Sequence, residues 1–338
     1  MKKLSLFFIG LFLIPTLFFT SCDRGDDPSD TTVVATPKFT LLKEYMVQNS
    51  YDINKIIKNS DDEKFVVGAP ALADLPAFLD KYYIMDIRDN TTFATSHIEG
   101  AVNVPFSDIL THAPNAGTKP ILVVCFSGQT ACYATALLRM YGYKHTQALK
   151  WGMSGWNPTT AGSWNNNIGT IANGHANWSY DIAPSNIVYQ DPTIATSLTD
   201  GEAILKQRVE EVVAAGFGVA TVSGADVLNN PSGYFINNYF SEADYGGFGH
   251  IANAYRILPL TLGDNTYAGL DPAANAKVVT YCYTGQTSAV MTACLRVLGY
   301  DAYTMTFGMN GIYNDNPSWS TNQWGVGSSN PKDLPFGM

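Results

Sequence analysis

The stretch Cys125-Phe126-Ser127-Gly128-Gln129-Thr130 follows the apolar run Ile121-Leu122-Val123-Val124 and precedes a segment with helical spacing, residues 131–140. A strand, a short glycine-containing loop and a helix bring backbone N–H groups and the positive end of a helix dipole to the loop. A cysteine in this setting is expected to favour its thiolate and to act as a nucleophile. We also expect the Thr130 hydroxyl to cap the following helix.

The same unit occurs a second time along the chain. Cys282-Tyr283-Thr284-Gly285-Gln286-Thr287 follows the run Lys277-Val278-Val279-Thr280 and precedes a second helical segment, residues 288–298, with Thr287 in the capping position. The two cysteines lie 157 positions apart, and so do Gly142-Tyr143 and Gly299-Tyr300. A constant spacing of this kind predicts two homologous domains.

Strand-like and helix-like segments alternate in both halves of the chain. In the first half, strand-like runs at 65–68, 82–87 and 121–124 alternate with helical segments at 71–80 and 131–140. This alternation predicts an α/β fold with two tandem domains, each a central parallel sheet with helices on both faces. We place the domains at 38–160 and 198–338, and an inter-domain segment rich in Asn, Thr, Trp, Gly and Pro at 161–197.

The N-terminus has the layout of an export signal. Two lysines precede an almost wholly apolar run, residues 4–19, which ends in Thr20-Ser21-Cys22. Residues 1–22 are therefore interpreted as a signal peptide with a lipobox, with Cys22 as the lipidation site, although Phe19 replaces the usual aliphatic residue. The polar, acidic residues 23–37 are interpreted as a flexible tether. We expect an exported protein, lipid-anchored to the cell envelope and either periplasmic or on the cell surface; an ordinary signal peptide and an uncleaved anchor are the alternatives.

Composition excludes several other classes of function. The 338-residue chain carries a net charge of -9, which argues against nucleic acid as a partner. No CxxC pair or Cys/His cluster indicates a metal site. Cys132 and Cys294 are interpreted as helix core, and a Cys125–Cys132 disulfide stays open as an alternative.

Four motifs of the first half stand in a recognisable order: Asp86-Ile87-Arg88, then His97-Ile98-Glu99-Gly100-Ala101-Val102-Asn103-Val104-Pro105, then the Cys125 loop, then Gly152-Met153-Ser154-Gly155-Trp156. Together they resemble the rhodanese (sulfurtransferase) family. The resemblance implies that a cysteine takes sulfane sulfur from a small donor as a persulfide. It then passes the sulfur to a thiol or a cyanide-like acceptor, without a cofactor. Cys125 and Cys282 are equal candidates for this role, with Asp86, Arg88, His97 and His250 as supporting residues.

The second half departs from the family pattern. Phe235-Ile236-Asn237-Asn238 stands where the Asp-x-Arg pair is expected, and Asn253 replaces the glycine that corresponds to Gly100. Neither cysteine loop contains Lys or Arg, which argues against dianionic thiosulfate as the donor. Ala131 and Ser288 occupy the positions where cysteine phosphatases of related fold carry an arginine, so phosphate chemistry is not expected. The alternatives to sulfur transfer are a non-catalytic binding or thiol-sensing module at the cell envelope and, third, a thiol–disulfide enzyme.

Overall fold

The computed structural model describes residues 35–337. The predicted signal peptide, the lipidation site Cys22 and most of the tether lie outside the described residues. Within residues 35–337, no helix is both long and apolar enough to cross a membrane.

The first half is built on five parallel strands in the order β1-β5-β4-β2-β3. Its elements, in chain order, are α1 (Lys38–Gln48), α2 (Ile53–Ile57), β1 (Val66–Val67), α3 (Leu75–Lys81), β2 (Tyr83–Asp86), α4 (Asn90–Thr95), β3 (Val102–Asn103), α5 (Ile109–His112), β4 (Ile121–Val124), α6 (Gln129–Met140), β5 (Gln147–Leu149), α7 (Met153–Trp156) and α8 (Gly162–Asn165).

The second half contains four parallel strands in the order β7-β11-β10-β8. Its elements are β6 (Trp178–Ser179), α9 (Gly201–Ala215), β7 (Thr221–Val222), α10 (Gly224–Asn229), β8 (Phe235–Asn238), α11 (Glu242–Phe248), β9 (His250–Ile251), β10 (Val278–Tyr281), α12 (Gln286–Val297), β11 (Ala302–Met305) and α13 (Gly308–Tyr313).

The central strand of each sheet explains why helices cover both faces. All four residues of β4 are buried, with Ile121 and Val123 in one hydrophobic core and Leu122 and Val124 in another. Successive side chains of a strand point to opposite faces, so a continuous apolar run needs a cover on each side. The predicted fold class, two α/β domains with parallel sheets, is confirmed.

The second sheet differs from the first at its edge. The segment that follows β9 contributes only a single parallel bridge, between Asn237 and Tyr255, in place of a fifth strand. β9 itself pairs antiparallel with β6, which belongs to the segment interpreted as inter-domain. Asn253 has a φ of 65°, so it adopts the left-handed conformation that Gly100, with a φ of 74°, adopts in the first half.

The two halves form one compact unit, residues 36–338. α6 packs against α12, and one hydrophobic core runs through both halves. Segments near each end of the described chain pack against the opposite half. Helix α1 packs against α9 of the second half, and Leu334 lies in the core of the first half beside Trp156.

Candidate active site

Each cysteine lies at the carboxyl end of a central strand, directly before a helix. α6 begins at Gln129 and α12 at Gln286, and the residues that cap them are Gly128 (φ 87°) and Gly285 (φ 72°), both left-handed. The prediction that the Thr130 and Thr287 hydroxyls cap these helices is wrong. The glycines turn the chain into the helix two residues before the threonines, which lie inside the first turn.

The Cys125 sulfur is held by backbone N–H groups. Sγ accepts hydrogen bonds from the amides of Gly128 at 3.2 Å and Ala131 at 3.3 Å. The first amides of a helix have no partner within the helix, so they are free to donate to the loop. The sulfur is buried, with only 4% of the residue exposed.

Burial dominates the protonation of this thiol. It raises the pKa of Cys125 above its usual value, although the amides of Ala131, Ser127 and Gly128 lower it, and the negative charge of Asp86 raises it further. The prediction that the loop favours the thiolate is therefore wrong for the protein without a bound donor, since its Cys125 pKa is raised. The amides instead provide donors for a negative charge once it forms at the sulfur.

The turn that contains α7 holds the carbonyls of the loop away from the sulfur. The Met153 amide donates to Cys125 O at 2.8 Å, and both the amide and the hydroxyl of Ser154 donate to Phe126 O, at 3.1 and 3.0 Å. Gly152 allows this approach, because a Cβ there would lie 2.4 Å from Cys125 O. The glycine-rich motif thus shapes the cysteine loop from behind.

Asp86 and Arg88 form a buried pair beside the loop. The guanidinium donates to the Asp86 carboxylate at 2.7 to 3.1 Å and to Ser96 O at 2.6 Å. The Arg88 Cζ also lies 5.7 Å from the ring centroid of Phe126, whose residue is 43% exposed. Arg88 therefore orders the strand end and supports the aromatic residue next to Cys125.

The Cys282 sulfur has a different environment. It accepts a hydrogen bond from the Ser288 amide at 3.4 Å, and its thiol donates to the Ser288 hydroxyl at 3.7 Å. That hydroxyl is hydrogen-bonded to Thr304 Oγ1. The neutral thiol has an acceptor here, whereas Ala131 offers none at the matching position.

The charged pair of the first half is replaced by neutral residues in the second. Asp86 pairs with Val124 in the sheet, and Asn238 pairs with Tyr281, so Asn238 occupies the position of Asp86. Phe240 stands two residues further on, where Arg88 stands in the first half.

An aromatic cluster covers the Cys282 loop. Phe240 stacks on Tyr283, with ring centroids 4.4 Å apart, and Phe248 and Trp319 complete the cluster. The Tyr283 hydroxyl donates to Asp244, and burial together with this hydrogen bond raises the pKa of Tyr283. Tyr283 is therefore half-buried, whereas Phe126, the residue that follows Cys125, is exposed.

The two histidines singled out from the sequence hold turns rather than either sulfur. His97 Nδ1 lies 2.9 Å from Phe93 O, and its ring stacks on Phe93. His250 is buried and stacks on Tyr245, and burial lowers its pKa. Neither of these rings is hydrogen-bonded to a cysteine in residues 35–337.

The remaining cysteines belong to the helices. Cys132 and Cys294 are buried in α6 and α12, and burial raises the pKa of each thiol. All four cysteines of the described part of the chain are free thiols.

A glutamine from each cysteine loop forms a hydrogen bond with the backbone of the other half. Gln129 Oε1 accepts a hydrogen bond from the Phe307 amide at 2.7 Å, and Gln286 Nε2 donates to Ser127 O at 3.2 Å. Both glutamines are buried. Sequence reasoning included them as loop residues but missed their inter-domain role, and it missed Trp164, whose indole N–H also donates to Ser127 O. No local signal marks Trp164, because it lies 37 residues from its partner.

This chain is similar to proteins of one known family. The rhodanese-like domain family model matches residues 71–159 and 240–315. The chain is 32% identical over 79 residues to a protein of Shewanella oneidensis named thiosulfate sulfurtransferase GlpE, covering 23% of this chain and 78% of that one. A protein of the same name from Haemophilus influenzae is 34% identical over 74 residues, covering 22% of this chain and 70% of that one. A solved structure titled thiosulfate sulfurtransferase, from Pseudomonas aeruginosa, is 15% identical, covers 84% of this chain and 48% of that chain, and has a TM-score of 0.29.

Proposed function

Because the chain belongs to the rhodanese-like domain family, we propose that it transfers sulfane sulfur from a small donor to a thiophilic acceptor through a persulfide on Cys125. The observation that carries the proposal is the set of amides from Gly128 and Ala131 that converge on the Cys125 sulfur. Such preorganised donors stabilise negative charge as it forms at a buried atom.

The chemistry is two successive displacements at sulfur. The Cys125 thiolate attacks the outer sulfur of the donor, the donor's S–S bond breaks, and the rest of the donor leaves with the electron pair. The acceptor then attacks the terminal sulfur of the persulfide, and the Cys125 thiolate leaves. No external oxidant or reductant is consumed. Burial raises the pKa of Cys125, so the free thiol keeps its proton. In the first displacement this proton passes to the thiolate that leaves the donor, and the loop amides stabilise the negative charge that forms at the Cys125 sulfur.

Three features favour Cys125 over Cys282. Phe126 beside Cys125 is exposed, whereas Tyr283 beside Cys282 is half-buried against Phe240 and Trp319. Two loop amides donate to Cys125. The Cys282 sulfur, in contrast, accepts a hydrogen bond from one loop amide, that of Ser288, and its thiol donates a hydrogen bond to the Ser288 hydroxyl.

The character of the donor follows from the charges at the loop. The Arg88 guanidinium is already hydrogen-bonded to Asp86 and Ser96 O, and the loop itself has no basic residue. The two relatives compared above are named thiosulfate sulfurtransferases. In the part of the chain that the structure describes, the Cys125 loop offers no basic side chain to a dianion, and Arg88 is already paired. We propose a donor of lower charge with an apolar group that contacts Phe126, such as an organic persulfide.

The test is mass spectrometry of the purified protein after incubation with thiosulfate, glutathione persulfide or an aryl persulfide. Cys125 is expected to gain about 32 Da, the mass of one sulfur atom, as the persulfide cap of a reactive thiol. The adduct should persist in Cys282→Ser and disappear in Cys125→Ser. An adduct confined to Cys282 would reverse the assignment, and no adduct with any donor would favour the non-catalytic binding module.

We also propose that the protein is exported and held at the cell envelope by a lipid on Cys22. The proposal rests on the sequence layout of residues 1–22, which lie outside the described residues. The catalytic unit, residues 36–338, then works in the extracytoplasmic space on small sulfur compounds.

A further inference from the structure

The orientation of the peptide between Ser127 and Gly128 decides which of its groups faces the Cys125 sulfur, the hydrogen-bond donor N–H or the acceptor carbonyl. The Ser127 carbonyl and the Gly128 N–H belong to the same planar trans peptide, so they point in opposite directions. The Gly128 N–H donates to Cys125 Sγ. A flip of this peptide would replace that donor with the Ser127 carbonyl oxygen and repel the anion.

The backbone conformation of Gly128 does not by itself prevent the flip. Gly128 has a φ of 87°, and without a Cβ it passes easily between backbone conformations. Cys125 O and Phe126 O are held by the turn that contains α7, in the same domain. The Ser127 carbonyl is the third carbonyl of the loop, and the α7 turn does not hold it.

Two side-chain donors hold the Ser127 carbonyl from behind. Trp164 Nε1 donates to it at 3.0 Å, and Gln286 Nε2 donates at 3.2 Å from the other domain. Both side chains are buried, with 0% and 3% of each residue exposed. Two donors on one carbonyl use both of its lone pairs, so the peptide is held in one orientation.

The matching carbonyl of the second loop is not held in this way. Cys282 O and Tyr283 O are held by the amides of Met309 and Asn310, as in the first half. Within residues 35–337, however, no side chain donates to Thr284 O. Gln129, the counterpart of Gln286, accepts a hydrogen bond from the Phe307 amide instead. The asymmetry shows that the cross-domain donor serves the Cys125 loop.

We infer that Gln286 is a positioning residue which the second domain supplies to the first: together with Trp164 it holds the Ser127 carbonyl outward, so that the Gly128 N–H faces the reacting sulfur. This inference rests on the proposed role of Cys125. It gives the second cysteine loop a function that does not require Cys282 to react.

The test measures the rate of Cys125 alkylation by iodoacetamide against pH, in the full protein, with the product quantified on the Cys125 peptide. The variants are Gln286→Met and Trp164→Phe. Trp324→Phe is the matched control, since Trp324 packs in the same cluster as Trp164 but donates its indole N–H to Asn165.

The midpoint of the profile is expected to rise by about one pH unit in each variant, because a hydrogen bond to a charged acceptor is worth at least about one unit of pKa. The other titratable groups that act on Cys125 are Asp86, which is paired with Arg88, and the buried thiol of Cys132, and both remain in every variant. A merely loosened interface would raise the rate at all pH values without moving the midpoint.

The control is expected to keep the wild-type midpoint. Unchanged midpoints in Gln286→Met and Trp164→Phe would overturn the inference, as would an equal shift in Trp324→Phe. If Trp164→Phe fails to fold, as judged by circular dichroism, Gln286→Met decides alone. The alkylation assay needs no sulfur donor, so a failed persulfide assay with shifted midpoints would reject the proposed function and retain the positioning role.

Discussion

The pair Asp86–Arg88 allows a quantitative test of how the first loop is supported. Both side chains are almost completely buried. In Arg88→Met, the Asp86 carboxylate loses every guanidinium contact and keeps only the backbone N–H of residue 88, at 3.0 Å. An uncompensated buried charge of this kind costs about 3–5 kcal/mol of unfolding free energy.

The second domain suggests a second substitution that restores the unfolding free energy lost in Arg88→Met. Asn238 occupies the position of Asp86, and Phe240 that of Arg88, so this site accepts a neutral amide beside an apolar side chain. Adding Asp86→Asn to Arg88→Met is therefore expected to restore stability to within about 1–2 kcal/mol of the wild type, since neutral replacement of a buried ion pair is often tolerated. The assay is urea unfolding at pH 7, followed by far-ultraviolet circular dichroism.

An exposed ion pair serves as the control. Lys119 and Asp80 lie 3.5 Å apart with side chains 49% and 92% exposed, so Lys119→Met is expected to change stability by no more than about 0.5 kcal/mol. A double variant, Asp86→Asn with Arg88→Met, that is no more stable than Arg88→Met alone would refute the reasoning, because the cost would then come from lost packing rather than from the unpaired charge.

Three further outcomes are expected. Gly152→Ala should cost about 3 kcal/mol or more and abolish persulfide formation, because its Cβ would meet Cys125 O. Gly174→Ala has a similar φ but open space, so it should cost only about 1–2 kcal/mol and leave activity intact. Burial raises the pKa of Cys294 above its unfolded value, so its contribution to stability is complete below about pH 8 and is lost as the pH rises. The urea midpoint should therefore fall between about pH 8 and pH 10, less so in Cys294→Ala, and an identical fall in both proteins would contradict this assignment. Cells fed labelled palmitate should yield a labelled wild-type protein and an unlabelled Cys22→Ser variant; release of unlabelled wild type into the medium would count against the lipid anchor.

Much of the candidate site was accessible from the sequence because it is local. Cys125, its glycine and the following helix lie within one short stretch, and the preceding apolar run predicts the buried strand. The same pattern around Cys282, at constant spacing, identified the second domain. Protonation was predicted less well. The helix start supplies the amides as expected, but the degree of burial that raises the Cys125 pKa depends on residues from the whole fold.

The sequence by itself determined the fold class, the repeat and the identity of the two cysteines, since these depend on periodicity and on neighbours along the chain. Only the tertiary structure decided which groups contact each cysteine sulfur and each loop carbonyl. The placement of Asn238 at the position of Asp86 depends on strand register. The contact of Gln286 with Ser127 joins residues 159 positions apart. Such contacts follow from the packing of α6 against α12, for which no short stretch of sequence carries a signal.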